Sequence, residues 1–278
     1  IYQDAPDSTG FYYYNGSNWL WLASATTSVG WLTTGNAGTD TAVNFIGTTT
    51  NMPLRFKVNN QWNGQFDPNN SNFFIGNNAG RLNTGIVNTA FGSIALADNT
   101  TGNFNTAFGG GAMSSNTTGG SNVAIGNTAL ANHKTGDNNT ALGSNALNAD
   151  TAGHSNVAVG AYAMLSGKNS NSNTAIGYGA LSSAGLNSTN FLEGNFNTAI
   201  GANSAVNIKR GYSNVSIGYQ AHSADTSGVG NVMIGTSAGS GHIGGQNNIA
   251  IGNGAFFGNT RGNNKIAIGS RALDTDTS

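Results

Sequence analysis

The stretch SNVAIGNTAL at residues 121–130 recurs along most of the chain. Close copies are NTALGSNAL at 139–147, SNVAVGAYAM at 155–164 and SNTAIGYGAL at 172–181. Twelve copies align on the glycine that closes the phrase N-x-A-I-G, and we call these the anchor glycines: Gly76, Gly92, Gly109, Gly126, Gly143, Gly160, Gly177, Gly201, Gly218, Gly235, Gly252 and Gly269. Nine of the eleven steps between them are 17 residues long, and the other two are 16 and 24. A fixed period this short predicts a solenoid whose coils stack on their neighbours.

Residues one period apart lie above one another in such a stack, so each position of the repeat forms a column. Counted from the anchor glycine, position −1 is always apolar, position −2 is Ala in nine of twelve copies and position +3 is Ala in all but one. Position −4 is Asn in eleven copies, and position −7 is Gly in ten. We expect the asparagines to form a ladder of stacked amides and the −7 glycines to supply a positive φ at a turn. Representative structural positions are Asn122, Ile125, Gly126, Asn139, Gly143, Asn156, Gly160, Asn173, Ile176 and Gly177.

The N-x-A-I-G segment alternates large side chains with Ala and Gly, which predicts a short strand with two non-polar faces. A 17-residue coil has room for about two such strands and two turns. One face would be buried by the other strand of the coil, and the opposite face would need a partner outside the coil. The sequence therefore predicts an all-β chain: a parallel β-roll or β-solenoid with 17-residue coils, an intertwined or side-by-side homotrimer, and a small N-terminal β cap.

The composition limits the classes of function. Of the 278 residues, 42 are glycine, 8% are charged and none is cysteine, and the net charge is −1. Scattered single charges provide no surface for the phosphates of nucleic acid, so we expect no nucleic-acid partner. No run approaches about 18 consecutive apolar residues, so we expect no membrane insertion in this segment. The lack of cysteine excludes disulfides and thiolate metal sites, and it fits an extracellular setting.

The phrase N-x-A-I-G-x-x-A, preceded by a turn rich in Asn, Thr or Ser, resembles the head repeats of trimeric autotransporter adhesins, although the repeat of that family is shorter. It also resembles the repeats of bacterial and phage tail-fibre-like proteins, and the stretches NTTGNFNTAFG at 99–109 and NTTGGSNVAIG at 116–126 carry that pattern closely. The resemblance covers residues 72–273. It implies a homotrimer of parallel β-rolls in a fibre or spike on a cell surface, a phage or an injection particle, with a cell-surface glycan or protein as receptor.

Two domains are expected from the pattern. Residues 71–278 hold the solenoid of about twelve repeats, whereas residues 1–70 break the period and hold a large share of the aromatic residues. We interpret residues 1–70 as a β-rich cap or connector that covers the end of the solenoid.

Two strand pairs are predicted in this first domain. FYYYNGSNWLWL at 11–22 predicts a hairpin with a two-residue turn at Asn15-Gly16, and PLRFKVNNQWNGQFD at 53–67 predicts a second pair that turns near Asn59-Asn60. The aromatic side chains either fill the core of the cap or stack on sugar rings. The candidate aromatic contacts are Tyr12, Tyr14 and Trp19.

The 24-residue step between Gly177 and Gly201 adds seven residues to one coil. The segment at 182–194 should therefore form a loop outside the regular rod, and insertions of this kind often carry binding residues. The alternative is a tolerated insertion without a role. The candidate ligand-binding residues of this loop are Asn187, Ser188, Thr189, Asn190, Phe191 and Glu193.

No catalytic residue, metal site or cofactor is expected. The histidines are interpreted as isolated residues on turns with no carboxylate in register, and they are His133, His154, His222 and His242. The acidic residues are interpreted as single residues on different coils, which does not predict the facing carboxylate pair of a glycosidase. The chain is therefore not expected to be an enzyme.

Three functions from different classes remain. The first is a structural and adhesive segment of an extracellular trimeric fibre, in which three identical faces turn weak contacts into avidity. The second is an ice-binding solenoid, suggested by the low charge and the many Thr, Asn and Ala residues. The argument against ice binding is that position −3 is Thr in some repeats and Val or Ile in others, which predicts a buried column. The third and weakest is a polysaccharide-degrading tailspike.

Overall fold

A computed structural model describes residues 2–5, 8–14, 16–17, 19–21, 45–186, 192–258 and 262–273. The chain divides into two compact units, Ile1–Thr49 and Thr50–Ser278. Within the described ranges the regular elements are all β-strands, and no helix there has the length and apolar character to cross a membrane.

The first unit contains a three-stranded antiparallel sheet of β1 (Tyr2–Ala5), β2 (Ser8–Tyr14) and β3 (Trp19–Trp21), in that order. The predicted aromatic hairpin is confirmed as the pair β2 and β3. The two-residue turn is wrong, because the register pairs Tyr14 with Trp19 and so leaves four residues between the strands.

The second unit contains one 14-stranded sheet. Its first strands, β4 (Leu54–Val58), β5 (Gln61–Asp67) and β6 (Asn72–Ile75), pair antiparallel, and the predicted turn at Asn59 and Asn60 joins the first two. The remaining strands pair in parallel order: β7 (Thr89–Phe91), β8 (Thr106–Phe108), β9 (Val123–Ile125), β10 (Thr140–Leu142), β11 (Val157–Val159), β12 (Thr174–Ile176), β13 (Thr198–Ile200), β14 (Val215–Ile217), β15 (Val232–Ile234), β16 (Ile249–Ile251) and β17 (Ile266–Ile268).

The parallel strands form a β-solenoid of 17-residue coils, as the period predicts. Each strand pairs with the equivalent residues one coil away, so Ala141 lies beside Ala124 on one side and Ala158 on the other. The register passes across the long coil without a shift, because Ala175 pairs with Ala199. From β7 to β17 the described residues contain eleven such strands, which corresponds to about 11 turns.

The prediction of two strands in each coil is wrong. In the described part of the repeat region each coil has one strand of three residues, and turns make up the rest. The turns use left-handed residues at positions −5, +2 and +4, for example Ser121, Thr128 and Leu130 with φ of 56°, 53° and 51°. Three reversals of backbone direction in 17 residues leave no straight segment for a second strand. The turns still bond to the next coil, as Leu130 N–H does to the Ala146 carbonyl at 2.9 Å.

The interior of the solenoid is thin and lined mainly by small side chains. Alanines at −2 and +3 and the Leu or Met side chains at +4 make up most of the buried apolar core, as Ala124, Ala129 and Leu130 illustrate with 0% exposure. The alanine face of the strand therefore packs against turn residues, not against a second strand. The large residues at −1 and −3 point away from this interior.

The predicted asparagine ladder is confirmed. Asn139 accepts a hydrogen bond on its side-chain oxygen from the backbone N–H of Asn156 at 3.0 Å, and its amide donates to the Gly153 carbonyl at 2.7 Å. Asn122 makes the same two bonds one coil earlier, to the Asn139 N–H and the Gly136 carbonyl. These side chains are buried, so the ladder pairs backbone groups that would otherwise lack partners.

The −7 glycines were predicted to supply a positive φ, and at most described positions this is wrong. Gly136 does not have a left-handed φ, but a Cβ there would lie far inside 3.0 Å of the Gly153 carbonyl oxygen. Coils are spaced at about 4.8 Å, and the glycine allows that carbonyl to approach. The anchor glycines do adopt a positive φ, for example 139° at Gly126.

Val87 provides a test of the left-handed turn positions. It has φ of 55° at position −5, where a β-branched residue is strained and Asn is tolerated. We expect Val87→Asn to increase the free energy of unfolding by about 1 kcal/mol in urea titrations. The matched control is Ile86→Asn, because Ile86 is equally exposed but is not left-handed, so no gain is expected. An equal effect of both changes would contradict the strain argument.

Candidate functional site

The outward surface of the parallel strands is a candidate interaction surface of the solenoid. We define the strand face as the residues at positions −3 and −1 of strands β6 to β17. In β9 the middle residue Ala124 is buried, whereas Val123 is half-buried and Ile125 is exposed on the opposite side. The same alternation recurs along the sheet, so the large residues form two columns that face solvent. The prediction that the −3 column is buried is therefore wrong for the single chain.

The strand face is apolar and carries no charge. Its −1 column contains only Ile, Val, Leu and Phe, and its −3 column contains Thr, Val, Ile and one Phe. Members with at least a third of their surface exposed include Phe91, Phe108, Ile125, Leu142, Ile176, Ile251 and Ile268. Eleven steps of about 4.8 Å extend the two columns over roughly 50 Å. An uncharged apolar stripe of this length is typical of a surface that binds another protein or ligand.

Aromatic rings occupy the start of the strand face. Phe91 and Phe108 stack with ring centroids 4.8 Å apart and planes within 8° of parallel. Phe73 is stacked on Phe66 of β5 at 4.4 Å. Both Phe91 and Phe108 remain exposed, so the stack presents its outer side to solvent.

The candidate loop and the aromatic candidates fall mostly outside the described residues. Asn187, Ser188, Thr189, Asn190 and Phe191 are not described, and Glu193 lies half-buried in the turn at 192–194. The loop at 182–194 stays a candidate site.

The aromatic candidates of the first unit have a described backbone only. Tyr12 and Tyr14 lie in β2 and Trp19 lies in β3, but their side chains are outside the described residues. Their proposed contact with sugar rings stays a prediction.

The interpretation of the histidines is wrong, because three of them have a carboxylate in register. His133 and Asp150 are one period apart, both seven residues after an anchor glycine, and His133 Nδ1 lies 3.0 Å from Asp150 Oδ2. His133 Nε2 lies 2.8 Å from the Gly136 carbonyl, so both ring nitrogens are satisfied in the buried interior. The half-exposed pair His154 and Asp137 shares another column, with Nδ1 and Oδ2 3.9 Å apart.

A second buried group contains His222, Asp225 and His242, all with 0% exposure. Asp225 and His242 stand one period apart in the same column as His133 and Asp150. His222 Nε2 is 2.7 Å from Asp225 Oδ2, and the rings of His222 and His242 stack at 5.7 Å. One ligand atom from each of the three residues lies within 4.8 Å of those of the other two.

Asp225 is held as a charged carboxylate. Burial raises its pKa, but the hydrogen bond and positive charge of His222 and the backbone N–H groups of Ser227 and Gly244 outweigh burial and lower the pKa to about 2. Its Oδ1 accepts the backbone N–H groups of Ser227, Gly228 and Gly244 at 2.9 Å each. The other oxygen, Oδ2, is left to face His222.

The sequence contains a signal for this group that the repeat alignment did not use. Position +4 is Leu or Met in six successive coils, from Leu96 to Leu181, but it is His222 in the coil of Gly218. Serines replace the consensus alanines at Ser204 and Ser216 in the same neighbourhood. Polar residues thus replace apolar ones at interior positions of adjacent coils, and this indicates a polar group inside the rod.

Comparisons with known protein families, with curated proteins and with solved structures find no match to this chain. The fold defines its class, a β-solenoid repeat protein with 17-residue coils.

Proposed function

We propose that this chain is a structural and adhesive segment of an extracellular trimeric fibre, such as a tail fibre or a surface adhesin, that presents a receptor- or glycan-binding surface. The observation that supports the proposal is the strand face. Its two columns, which are apolar except for five threonines at position −3, point outward along the whole parallel sheet, and the single chain does not bury them. The resemblance of the repeats to adhesin heads and tail fibres supports the same assignment.

Association through the strand face has a physical cause. Complete burial of one large aliphatic side chain stabilises a protein by about 1.5–3 kcal/mol. Burial of the half-exposed residues of the strand face in an interface would contribute part of this free energy in every coil. Because the columns repeat over twelve coils, small gains add along the rod. Three copies around one axis would bury the face within a closed symmetric assembly and leave the turns outward for binding.

The mechanism of the segment is mechanical. The backbone hydrogen bonds between coils and the buried asparagine ladder resist unfolding along the rod. Three identical outer surfaces would then bind a repetitive cell-surface receptor with avidity that one surface does not reach. No enzymatic step is part of the proposal, and neither nucleic acid nor a membrane is proposed as a partner.

Ice binding is the second candidate function, because the −3 column faces outward. Five of its residues are threonines, spaced by the coil repeat on the same face: Thr89, Thr106, Thr140, Thr174 and Thr198. A regular exposed array of this kind would require a monomer, since a trimer would cover it. The interrupting Val and Ile residues make the array incomplete, so the fibre remains the leading proposal.

The native mass separates the two functions. We expect sedimentation or light scattering to give about 85 kDa, three times the 28.2 kDa chain. The trimer would then be screened against immobilised glycans and whole cells. A stable monomer would contradict the trimeric fibre, and thermal hysteresis of freezing would become the next measurement.

Two substitutions on the strand face test the site of association. Ile125 and Leu142 are 39% and 44% exposed in neighbouring coils, so charges there are tolerated in the single chain but not in a buried interface. We expect the double variant Ile125→Lys and Leu142→Lys to sediment as a folded monomer at micromolar concentration. Asn127→Lys, exposed beside them but off the strand face, is the matched control and should remain trimeric. A double variant that stays trimeric would place the interface elsewhere.

A further inference from the structure

We propose that His222, Asp225 and His242 form a binding site for one divalent transition-metal ion of the zinc class inside the solenoid. Two imidazole nitrogens and one carboxylate oxygen are a donor set that zinc and its neighbours in the first transition row prefer. The three residues come from adjacent coils, so the ion would connect the coils of Gly218 and Gly235. This inference does not depend on the proposed trimer.

The distances suit an ion with short bonds. Zinc binds nitrogen and oxygen at about 2.0–2.2 Å, which puts two tetrahedral ligands roughly 3.3 Å apart. The three candidate ligand atoms lie within 4.8 Å of one another, and His222 Nε2 and Asp225 Oδ2 are 2.7 Å apart. These two atoms would separate by roughly 0.6 Å when the ion enters, and the His242 ligand atom would move closer to them by up to roughly 1.5 Å. The proton they share would leave to solvent, as metal binding to imidazole requires.

The outer atoms of the ligands are held in place by other groups. Ser216 Oγ lies 3.2 Å from Nδ1 of His222, and Asn248 Nδ2 lies 3.4 Å from Nε2 of His242. The Oδ1 atom of Asp225 accepts three backbone N–H groups, as described above. Outer partners of this kind orient metal ligands, and they leave His222 Nε2 and Asp225 Oδ2 directed at the proposed site.

The pair His133 and Asp150 shows what a purely structural histidine looks like in this fold. Asp150 and the Gly136 carbonyl satisfy its two ring nitrogens, so neither nitrogen remains for a ligand. The second group differs because a third donor residue, His242, adds its ring to the pair of His222 and Asp225, and the three ligand atoms lie within 4.8 Å of one another. A bound ion would engage both rings and the carboxylate together, which a single pair of histidine and carboxylate cannot do.

A surface pocket lies next to the proposed site. The pocket has a volume of about 430 Å³ and is lined by Ser227, Ile243, Gly244, Gly245, Gly262 and Asn263. Two of these residues, Ser227 and Gly244, donate the backbone N–H groups that hold Asp225. The pocket is therefore separated from Asp225 only by residues that are hydrogen-bonded to its carboxylate. Three protein ligands also leave one tetrahedral position for a water molecule.

The experiment uses the full chain after dialysis against a chelator. Zinc chloride is titrated by calorimetry, and bound zinc is measured by elemental analysis after gel filtration. We expect one zinc ion per chain and an increase of several degrees in the melting temperature at saturating zinc. Cobalt(II) should give visible absorption bands of a four-coordinate site. A chain that binds no zinc at micromolar concentration would overturn the proposal.

Variants locate the ion. His242→Asn should lose the stoichiometric zinc, and Ser216→Ala should keep the ligands but weaken the affinity about 10-fold to 100-fold. If His242→Asn does not fold, the zinc affinity of Ser216→Ala tests the site instead. His133→Asn and His154→Asn are the matched controls and should still bind one ion per chain. Full zinc binding by folded His242→Asn, or loss of it only in His154→Asn, would refute the site.

Discussion

Replacing Gly136 with alanine is expected to lower the free energy of unfolding by at least about 3 kcal/mol. The new Cβ would lie far inside 3.0 Å of the Gly153 carbonyl oxygen, and it would also press on the His133 ring. Because the blocking oxygen belongs to the backbone of the next coil, relief of the clash requires a shift of that coil.

The shift has consequences beyond one contact. The Gly153 carbonyl accepts the Asn139 amide, so moving it also strains a rung of the asparagine ladder. The next glycine of the column, Gly153, approaches Ser170 of the following coil in the same way. A displacement of one coil is therefore transmitted to the next, and we expect a lower midpoint for the whole solenoid in urea and thermal unfolding.

Gly110→Ala is the matched control for the glycine prediction. Gly110 lies on the outside of a turn, and a Cβ there would meet only the Asn127 amide nitrogen at 3.3 Å, the mobile end of an exposed side chain. We expect its stability to stay within about 0.5 kcal/mol of the parent. Equal stability of Gly136→Ala and Gly110→Ala would show that the coils do not approach as closely as the structure indicates.

Asn139→Ala is expected to lower the free energy of unfolding by about 4 kcal/mol, a loss of the same order as that of Gly136→Ala. The change removes the acceptor of the Asn156 backbone N–H and the donor to the Gly153 carbonyl, and both groups are inside the rod. Each buried polar group left without a partner costs about 1–3 kcal/mol. Little water can enter to replace the two bonds, because the neighbouring ladder residues Asn122 and Asn156 are fully buried.

The measurement is chemical unfolding of Asn139→Ala beside Asn127→Ala. Asn127 is exposed, and its amide donates a long bond of 3.3 Å to the Gly110 carbonyl, so its removal should cost less than about 0.5 kcal/mol. A similar loss in both variants would mean that the ladder contributes no more than an ordinary surface hydrogen bond. Hydrogen exchange at the Asn156 N–H should accelerate in Asn139→Ala only.

The strand register could be predicted from the sequence because residues at the same position of successive repeats pair with one another. A shift by one residue would move the Ala residues of the interior to the outside and bring Ile into the narrow core. The pairing of Ala124 with Ala141 and of Ala175 with Ala199 follows from this requirement. The ladder followed in the same way, since asparagines one period apart must meet.

The direction of the two strand faces could not be predicted from alternation alone. Alternation shows that Ile125 and Ala124 point to opposite sides, but it does not show which side is interior. The left-handed residues at positions +2 and +4, here Thr128 and Leu130, turn the chain so that the alanine side closes the coil. Those conformations are unusual for Thr and Leu, so their residue types did not indicate them.

The sequence by itself determined the period, the parallel register and the asparagine ladder, because like residues can stack over many coils at one spacing only. The tertiary structure decided which face remains open and which polar residues meet in the interior. His222 and Asp225 are three residues apart and His242 is one coil further on, and the turn geometry brings their ligand atoms within 4.8 Å. Position in a repeat specifies a column, but the path of the backbone through the turns decides which columns face one another.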